Sequence, residues 1–531
     1  MAWPVVIKPS GGLPVTVAAN GRGTPMTLAT NGYGIPVTFA ANALPVVGIT
    51  QETPGVNLVL PATGSGGAIY STNAVTGSAL ACCRIVRASD SAEMDIGYRT
   101  ISRQIDITTA MAFKASPSDI IMVKTWYDQS GNGNHATQTT LANMPRLLAD
   151  RNAIVAGTRR ADNTAPNAIP RYFNIPAGVA FDRLGNTKIM VFASSVSIQG
   201  MTPYEFPNNA QSDALILSSS NLMSIRWYPA AVNDKTPAAK DVLEFYGLGT
   251  GAAGSGIYRT TGAKSTITAP VTLAIAGGYL GFSSVASAWN KAARQDYTLF
   301  AIYPTQLNDT QITDARTAAI AAFGIPTTFD NNLVFVGDSI TEGVYTDDCK
   351  TLPRLASALV SASNKAVWNL GIAGITMATT VTQRAAHEAT LYSGSITGKN
   401  MFHLWAGTND IIAGTGVAAA VMANIQTWVA AQKALGASVR IVVGTCLPRT
   451  GFGAAGSAKD LDRQDLNTQI RANASINGYT VADYAADPVL GLVATTANTA
   501  LYPDGTHLSA VAYEQYASPI CAAAISTALA S

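Results

Sequence analysis

Between about residues 60 and 325 the chain alternates apolar and polar side chains in short runs. Clusters of Gly, Ser, Asn and Asp separate these runs. Alternation with a period of two is typical of strands that bury one face. We expect strands over residues 188–198, 213–219, 241–247 and 297–304. So many short strands between turn signals predict an antiparallel β-sandwich of jelly-roll type.

One helix is expected to close the sandwich. In the segment LNDTQITDARTAAIAAFG, Asn308 occupies the position of a helix N-cap and Gln311 follows three residues later. This is the pattern of a capping box, in which the two residues satisfy each other's backbone N–H groups. Gly324 follows the last apolar position and is expected to end the helix.

Beyond Pro326 strands alternate with helices. Apolar runs predict strands, and apolar positions at helical spacing predict the segments between them. Strands that alternate with helices form a parallel sheet covered on both faces, which predicts a three-layer α/β domain of flavodoxin-like type. The strands are expected at 333–337, 402–407, 440–448 and 479–484, and the helices near 351–363, 415–435, 461–475 and 509–529.

The first fifty residues contain an eleven-residue repeat. Each copy has a proline, a short strand and a turn of the Asn-Gly kind, and the repeated positions are Pro14, Pro25 and Pro36, and Asn20, Asn31 and Asn42. One copy cannot bury its own apolar face, so the segment needs a partner. We therefore divide the chain into an attachment or oligomerisation arm (1–55), a β-sandwich (56–326) and an α/β domain (327–531).

Composition and charge exclude several classes of protein. Only 12% of residues are charged, and 34 Lys and Arg balance 32 Asp and Glu to a net charge of +2. No overall field would attract nucleic acid or an anionic membrane. Prolines interrupt the N-terminus, so no secretion signal is evident, and no apolar run is long enough for a bilayer. We expect a soluble protein.

The five cysteines form no C-x-x-C pair and lie far from histidines at ligand spacing. Neither a disulfide framework nor a zinc site is predicted, and we expect no metal and no cofactor.

Candidate chemistry is concentrated in the α/β domain. The apolar strand LVFV runs directly into Gly337-Asp338-Ser339, and open α/β sheets place their reactive groups at the carboxyl ends of strands. Three more stretches follow in order: Asn369–Gly374 after the next apolar run, Gly407–Asp410 after the strand FHLWA, and Asp504–His507 before the last helix.

This constellation resembles the SGNH, or GDSL-type, hydrolase family over about residues 331–531. The resemblance implies that Ser339 is the nucleophile, that His507 is the base and that Asp504 orients it. It also implies an oxyanion hole made by the backbone N–H groups of Ser339 and Gly374 and by the side-chain amide of Asn409. Gly371 is a less favoured candidate for the glycine role.

The chemistry explains these residue types. A serine hydroxyl is a weak nucleophile until an imidazole accepts its proton, and the imidazole needs a third group to fix its tautomer. The tetrahedral intermediate places negative charge on the carbonyl oxygen, which preorganised donors stabilise. Three further residues are interpreted as structural: Asp338 as an organiser of the nucleophile turn, Asp410 as a brace for its loop, and His403 as a core residue.

The sandwich carries a second resemblance. The segments GSALACCRIVRASDSAEMDIGY and TWYDQSGNGNHATQ are similar to the catalytic sandwich of arabinofuranosidase B and to concanavalin-like lectin sandwiches. That family's catalytic carboxylates cannot be placed on this chain, so its activity is not carried over. We expect Asp128, Asn132 and Asn134 to organise a turn. A glycosidase pair among Asp90, Asp95, Asp128 and Glu244 is an alternative, and no glycan-binding residue is assigned.

The three parts together look like a phage tail-fibre or tailspike protein. On this resemblance we expect a serine esterase that removes O-acetyl groups from a bacterial surface polysaccharide, in a virion tail or another extracellular assembly. The expected partners are the polysaccharide and other tail proteins, and the expected oligomer is a homotrimer. The alternatives are a tail component that binds glycan without cutting it, and a lipase or thioesterase of the same fold.

Overall fold

The computed structural model describes two short N-terminal strands and most of residues 55–531. Within that range it leaves out 77–80, 117–118, 150, 159–169, 195–200, 203, 209–210, 218–221, 229, 232–235, 238–241, 252–253, 268–269, 271, 282–290, 293–294, 345, 347–349, 363 and 385–387. The chain divides into two compact units, Met1–Thr53 and Pro54–Ser531.

In the first unit, two strands coincide with the first two copies of the eleven-residue repeat. Val15–Val17 and Met26–Leu28 pair antiparallel, with Val15 opposite Leu28. The strand expected in the third copy lies outside the described residues. A role of this arm in attachment or oligomerisation stays a prediction.

The second unit begins with a large antiparallel β-domain, as predicted. Its strands pair into one sheet that closes into a barrel, a closure that alternation along single strands does not reveal. A short helix, Ile107–Ala112, and a 3₁₀ turn, Leu141–Asn143, connect strands, and Met201–Thr202 pairs in parallel with Lys291–Ala292. The barrel strands are Ala68–Ser71, Cys83–Arg87, Glu93–Ile96, Ile121–Trp126, Ala136–Thr137, Arg146–Leu148, Ala153–Thr158, Pro170–Arg171, Phe173–Asp182, Thr187–Ser194, Tyr204–Asn208, Gln211–Leu217, Leu222–Tyr228, Ala230–Ala231, Thr236–Pro237, Glu244–Gly249, Ser255–Arg259, Ser265–Ile267, Ala274–Leu280 and Gln295–Tyr303.

The predicted helix after this domain is confirmed at both ends. It spans Asp309–Phe323, and the Asn308 side chain accepts from the Gln311 N–H while the Gln311 side chain accepts from the Asn308 N–H. Gly324 ends it in the left-handed conformation at φ 61°. The helix buries Ile312 against the barrel, so the capping residues fix where it can begin to cover the strands.

The remaining residues form the predicted α/β domain. Its five parallel strands lie in the order Lys365–Gly371, Asn331–Gly337, Asn400–Trp405, Val439–Gly444 and Thr480–Ala482. The first strand in sequence is therefore second in the sheet, and chain connections leave it toward both sides. The helices are Ser339–Glu342, Leu352–Leu359, Met377–Thr379, Thr408–Ala413, Ala418–Lys433, Ala458–Asn477, Ala510–Ala512 and Ser518–Ala530, with π-helical turns at Thr380–Arg384 and Tyr513–Ala517 and 3₁₀ turns at Thr450–Phe452, Tyr484–Ala486 and Val493–Ala497.

Alternate residues of the first strand face two helical layers. Val334 and Val336 belong to the apolar cluster that includes helix Ala418–Lys433, whereas Leu333 and Phe335 belong to the cluster that includes Ser518–Ala530. Burial on both faces explains why these strands are uniformly apolar, and it confirms the three-layer arrangement. None of the helices described is long and apolar enough to cross a membrane.

A buried ion pair joins the antiparallel domain to the α/β domain. Asp296, at the start of the last barrel strand, is fully buried and accepts a hydrogen bond from Arg354 at 2.9 Å. Arg354 lies in the helix Leu352–Leu359 and is 4% exposed. Arg151 approaches the same carboxylate at 3.3 Å. The predicted boundary at residues 326 and 327 stays a prediction, but these contacts hold the two sides of it together.

Replacing Arg354 by Met should destabilise the protein by about 3 kcal/mol, because it removes one partner of a buried charge. Urea denaturation measures the loss. Arg471→Met is the matched control, since Arg471 pairs with Asp483 at the surface and should cost less than about 1 kcal/mol. An equal effect of the two substitutions would show that the buried pair does not stabilise the domain contact.

Candidate active site

The structure brings Ser339, His507 and Asp504 together at the carboxyl edge of the parallel sheet. Ser339 opens the helix Ser339–Glu342, directly after the first strand. Its Oγ lies 2.8 Å from His507 Nε2, and His507 Nδ1 lies 2.7 Å from Asp504 Oδ2. The imidazole is therefore held between a hydroxyl and a carboxylate, as proton transfer from the hydroxyl requires.

The surroundings of Asp504 keep its carboxyl group ionised. Burial by itself would raise the pKa of this carboxyl, but hydrogen bonds from the His507 ring and from two backbone N–H groups lower it to about 2. The backbone donors are those of Thr506 at 3.0 Å and His507 at 2.8 Å. An ionised Asp504 holds the proton on His507 Nδ1 and leaves Nε2 free to accept from serine.

The three donors predicted for the oxyanion hole have hydrogens that no described residue is shown to accept. The Ser339 N–H is in the first turn of its helix, where no intrahelical partner exists. Gly374 has φ +80°, and no residue that the structure describes accepts its N–H. Asn409 donates one amide hydrogen to the Ile375 carbonyl at 3.0 Å, which fixes the side chain and leaves its second hydrogen available.

The geometry separates the two candidate glycines. The Gly371 N–H already donates to Asn369 Oδ1 at 3.1 Å, and a Cβ at Gly371 would lie 2.2 Å from the backbone nitrogen of Glu342. Gly371 is thus a packing glycine beneath the helix Ser339–Glu342. Gly374 needs glycine for its backbone conformation, since other residues rarely adopt positive φ.

Two carboxylates hold the loop that carries Gly374. Glu342, fully buried, accepts from the Ala373 N–H at 2.9 Å. Asp410 was predicted to brace its own loop; it instead accepts from the Met377 N–H at 3.0 and 3.1 Å, beyond Gly374, and burial raises its pKa. The loop that carries Gly374 is therefore fixed on both sides of this residue.

Asp338 and His403 also lie where structural roles were predicted. Asp338 is 1% exposed and accepts from the Ile340 N–H at 2.9 Å, so it caps the nucleophile helix. Burial raises its pKa to about 6, against the opposing effects of that hydrogen bond and of the charges of His507 and Arg449. His403 is buried beside Tyr484, and burial lowers its pKa to about 3.

In the antiparallel domain the Asp128 turn is structural, as expected. Asp128 accepts from the backbone N–H groups of Ile69, Ser130 and Asn134 at 2.9 to 3.0 Å. Asn132 and Asn134 donate to backbone carbonyls of the strand entry at Gly64 and Gly67. These side chains close a loop over the first barrel strand.

The carboxylates of the glycosidase alternative have separate partners. Asp90 pairs with Arg87 at 2.6 Å and Asp95 pairs with Arg84 at 2.7 Å. Glu244 accepts from Tyr246 at 2.9 Å and approaches Arg259 at 3.2 Å. Nothing in these contacts couples two of the four candidates, so no observation favours glycosidase chemistry.

Sequence reasoning missed two residues of the site. Glu342 follows Ser339 by three positions, and that helical spacing is a signal that could have placed it beside the nucleophile. Arg449 follows the fourth strand and interacts electrostatically with Asp338 and Asp504, although it belongs to no recognisable sequence motif. Among the described residues, no cluster of His, Cys, Asp and Glu is placed to hold a metal ion, and Cys82, Cys83, Cys446 and Cys521 are free thiols.

Residues 335–515 match the model of the GDSL-like Lipase/Acylhydrolase family, about a third of the chain. These residues form a GDSL-type acylhydrolase domain. The domain contains Ser339, Gly374, Asn409, Asp504 and His507. Their individual roles stay predictions until they are measured.

Solved structures are similar to parts of this chain at low identity. A GH54 α-L-arabinofuranosidase shares 15% identity over 48% of this chain and 62% of its own, with a TM-score of 0.37. A lipolytic G-D-S-L protein from Veillonella parvula shares 19% identity over 36% of this chain and 94% of its own, with a TM-score of 0.30. An acetylxylan esterase from Geobacillus stearothermophilus shares 18% identity over 38% of this chain and 94% of its own, with a TM-score of 0.29.

The chain thus spans less than two thirds of that arabinofuranosidase, and similarity at this level carries no argument about substrates. No curated protein matches the chain significantly.

Substituting Asp338 by Asn should change how stability depends on pH. The folded pKa of about 6 lies above the ordinary 3.8, so the folded wild type binds more protons than the unfolded chain between these values. The stability contributed by protonated Asp338 is present below about pH 4 and is lost as pH rises through about 6. Relative to Asp338→Asn, the wild type should lose about 2 kcal/mol between these limits.

Urea denaturation of both proteins at about pH 4 and about pH 7 measures this difference. Asn retains the oxygen that accepts from Ile340, so the comparison isolates the ionisation. A difference that is the same at both pH values would contradict the raised pKa.

Proposed function

We propose that this chain is a serine esterase that forms an acyl-enzyme on Ser339. The observation that carries the proposal is the pair of contacts that link Ser339 Oγ to His507 Nε2 at 2.8 Å and His507 Nδ1 to Asp504 Oδ2 at 2.7 Å. The acylhydrolase family of the domain supports the same reaction class.

In the first half of the reaction, Ser339 Oγ attacks the ester carbonyl carbon while its proton passes to His507 Nε2. Negative charge develops on the carbonyl oxygen, where the N–H groups of Ser339 and Gly374 and the amide of Asn409 stabilise it. Each such donor contributes about 3–4 kcal/mol to transition-state stabilisation in comparable sites. Collapse of the tetrahedral intermediate breaks the ester C–O bond, and the leaving alcohol takes the proton from His507.

In the second half, His507 Nε2 accepts a proton from water, and the water oxygen attacks the acyl-enzyme. The same donors stabilise the second oxyanion, and Ser339 leaves with the proton that His507 returns. Asp504 stays ionised throughout, because the interactions that lower its pKa to about 2 persist while His507 is charged. The cycle needs no cofactor.

The substrate that we propose is an O-acetylated polysaccharide. The support is the association of an esterase domain with an antiparallel β-domain whose segments resemble lectin and arabinofuranosidase sandwiches. The β-domain would hold the glycan while the esterase domain removes acetyl groups. Attachment of the arm to a virion tail or a similar extracellular assembly, with other tail proteins as partners and a homotrimeric state, belongs to the same proposal.

Acetate release from an acetylated bacterial polysaccharide tests the proposal. Wild-type protein should release acetate, and Ser339→Ala should reduce the rate by at least about 10⁴-fold, because the nucleophile is removed. Matched thermal unfolding of the two proteins controls for folding.

Two outcomes would contradict the proposal. If neither the wild type nor Ser339→Ala releases acetate, the result would favour a protein that binds glycan without cutting it. Activity confined to esters of long acyl chains would redirect the assignment to a lipase or thioesterase.

A further inference from the structure

Arg449 lies beside the catalytic residues on the loop that follows the fourth strand of the parallel sheet. Its neighbour Thr450 donates its N–H to the carbonyl of Gly505 at 2.7 Å, which ties this loop to the one that carries Asp504 and His507. The side chain of Thr450 packs on Gly505 as well, since a Cβ there would lie 2.1 Å from Thr450 Oγ1. The backbone at Arg449 is therefore fixed relative to the loop that carries His507.

The guanidinium of Arg449 lies over the ring of Phe452, 5.8 Å from its centroid, and has no hydrogen-bond acceptor among the described residues. Its Nε is buried, and no residue in the described part of the chain accepts a hydrogen bond from it. The contrast is with Arg463 and Arg354, buried arginines that pair with Asp460 at 2.7 Å and with Asp296 at 2.9 Å. Arg449 as a whole is half-buried, so its terminal nitrogens can reach a ligand that supplies the missing acceptor.

The carboxylates near Arg449 are already engaged by other groups. Burial lowers the pKa of Arg449, and the charges of Asp338 and Asp504 oppose that shift. However, Asp504 accepts from His507, and Asp338 accepts from the backbone of the nucleophile helix. The site thus contains a cation whose hydrogen-bonding capacity remains for an anionic ligand.

The position of Arg449 in the site indicates whether it would contact the acyl part or the alcohol part of the ester. The oxyanion donors Gly374 and Asn409 define the acyl side, and His507 must face the leaving oxygen in order to protonate it. Arg449 precedes Thr450, whose N–H is bonded to the His507 loop, so its backbone lies on the side of the base, from which the alcohol leaves. An arginine fork matches a carboxylate in geometry and charge.

We propose that Arg449 binds the carboxylate of an acidic sugar in the alcohol part of the ester. The substrate class is then an acetylated polysaccharide that contains uronic acid residues. This inference rests on the proposed esterase function and adds to it a residue that determines specificity.

The test compares one oligosaccharide in two forms. Acetylated oligogalacturonate carries free carboxylates, and its methyl-esterified form has the same sugars and acetyl groups without the charge. Acetate release is measured for both, and the readout is the ratio of kcat/KM for the acidic form to kcat/KM for the neutral form. Wild type should prefer the acidic form by about 10- to 100-fold, the range expected for one charge-assisted interaction.

Arg449→Met should abolish this preference, mainly through a higher KM for the acidic form. Arg449→Lys retains the charge but not the planar fork, so it should keep part of the preference. Arg471→Met is the matched control, because Arg471 pairs with Asp483 at the surface of the α/β domain, and the ratio should stay at the wild-type value.

The preference of the wild type is itself a test that needs no variant. If the wild type cleaves both forms equally, or if Arg449→Met slows both forms by the same factor, the inference is overturned while the esterase function stands. If neither form releases acetate and other acetyl esters are also untouched, the proposed esterase function fails, and the inference fails with it.

Discussion

The hydrogen bond between Ser339 Oγ and His507 Nε2 joins residues 168 positions apart, and the α/β domain is arranged to make it. Ser339 stands at the end of a strand with a neighbour on each side, so the backbone that carries it is fixed. The segment around His507 is fixed twice. Thr450 donates to Gly505, and Tyr513 donates from its hydroxyl to the Ile340 carbonyl at 2.5 Å. Local turns alone could not hold a base against a nucleophile so remote in sequence.

Features that depend on neighbouring residues could be predicted from the sequence. The capping box of Asn308 and Gln311 needs only three positions, and the structure has it as expected. The alternation of apolar strands and helices beyond residue 326 predicted a parallel sheet with two covered faces. The pair Asp504 and His507 is also local, since three residues separate the carboxylate from the imidazole.

Features that depend on packing could not be predicted in this way. Spacing alone does not choose between Gly371 and Gly374, because the choice depends on a bond from Gly371 to Asn369 and on contact with Glu342. The ion pair of Asp296 and Arg354 joins the antiparallel domain to the α/β domain, so its two residues belong to different sequence patterns. Arg449 carries no motif, and what draws attention to it is that no described residue accepts a hydrogen bond from its guanidinium. Closure of the antiparallel sheet likewise follows from pairings between distant strands.

Labelling with a fluorophosphonate probe tests most directly whether the contact between Ser339 and His507 activates the hydroxyl. We predict that the wild-type protein takes up the probe at Ser339, as read by peptide mass mapping. His507→Ala should slow labelling by about 10³-fold or more without unfolding the protein. A folded wild type that stays unlabelled, or that reacts at the same rate without His507, would contradict the account.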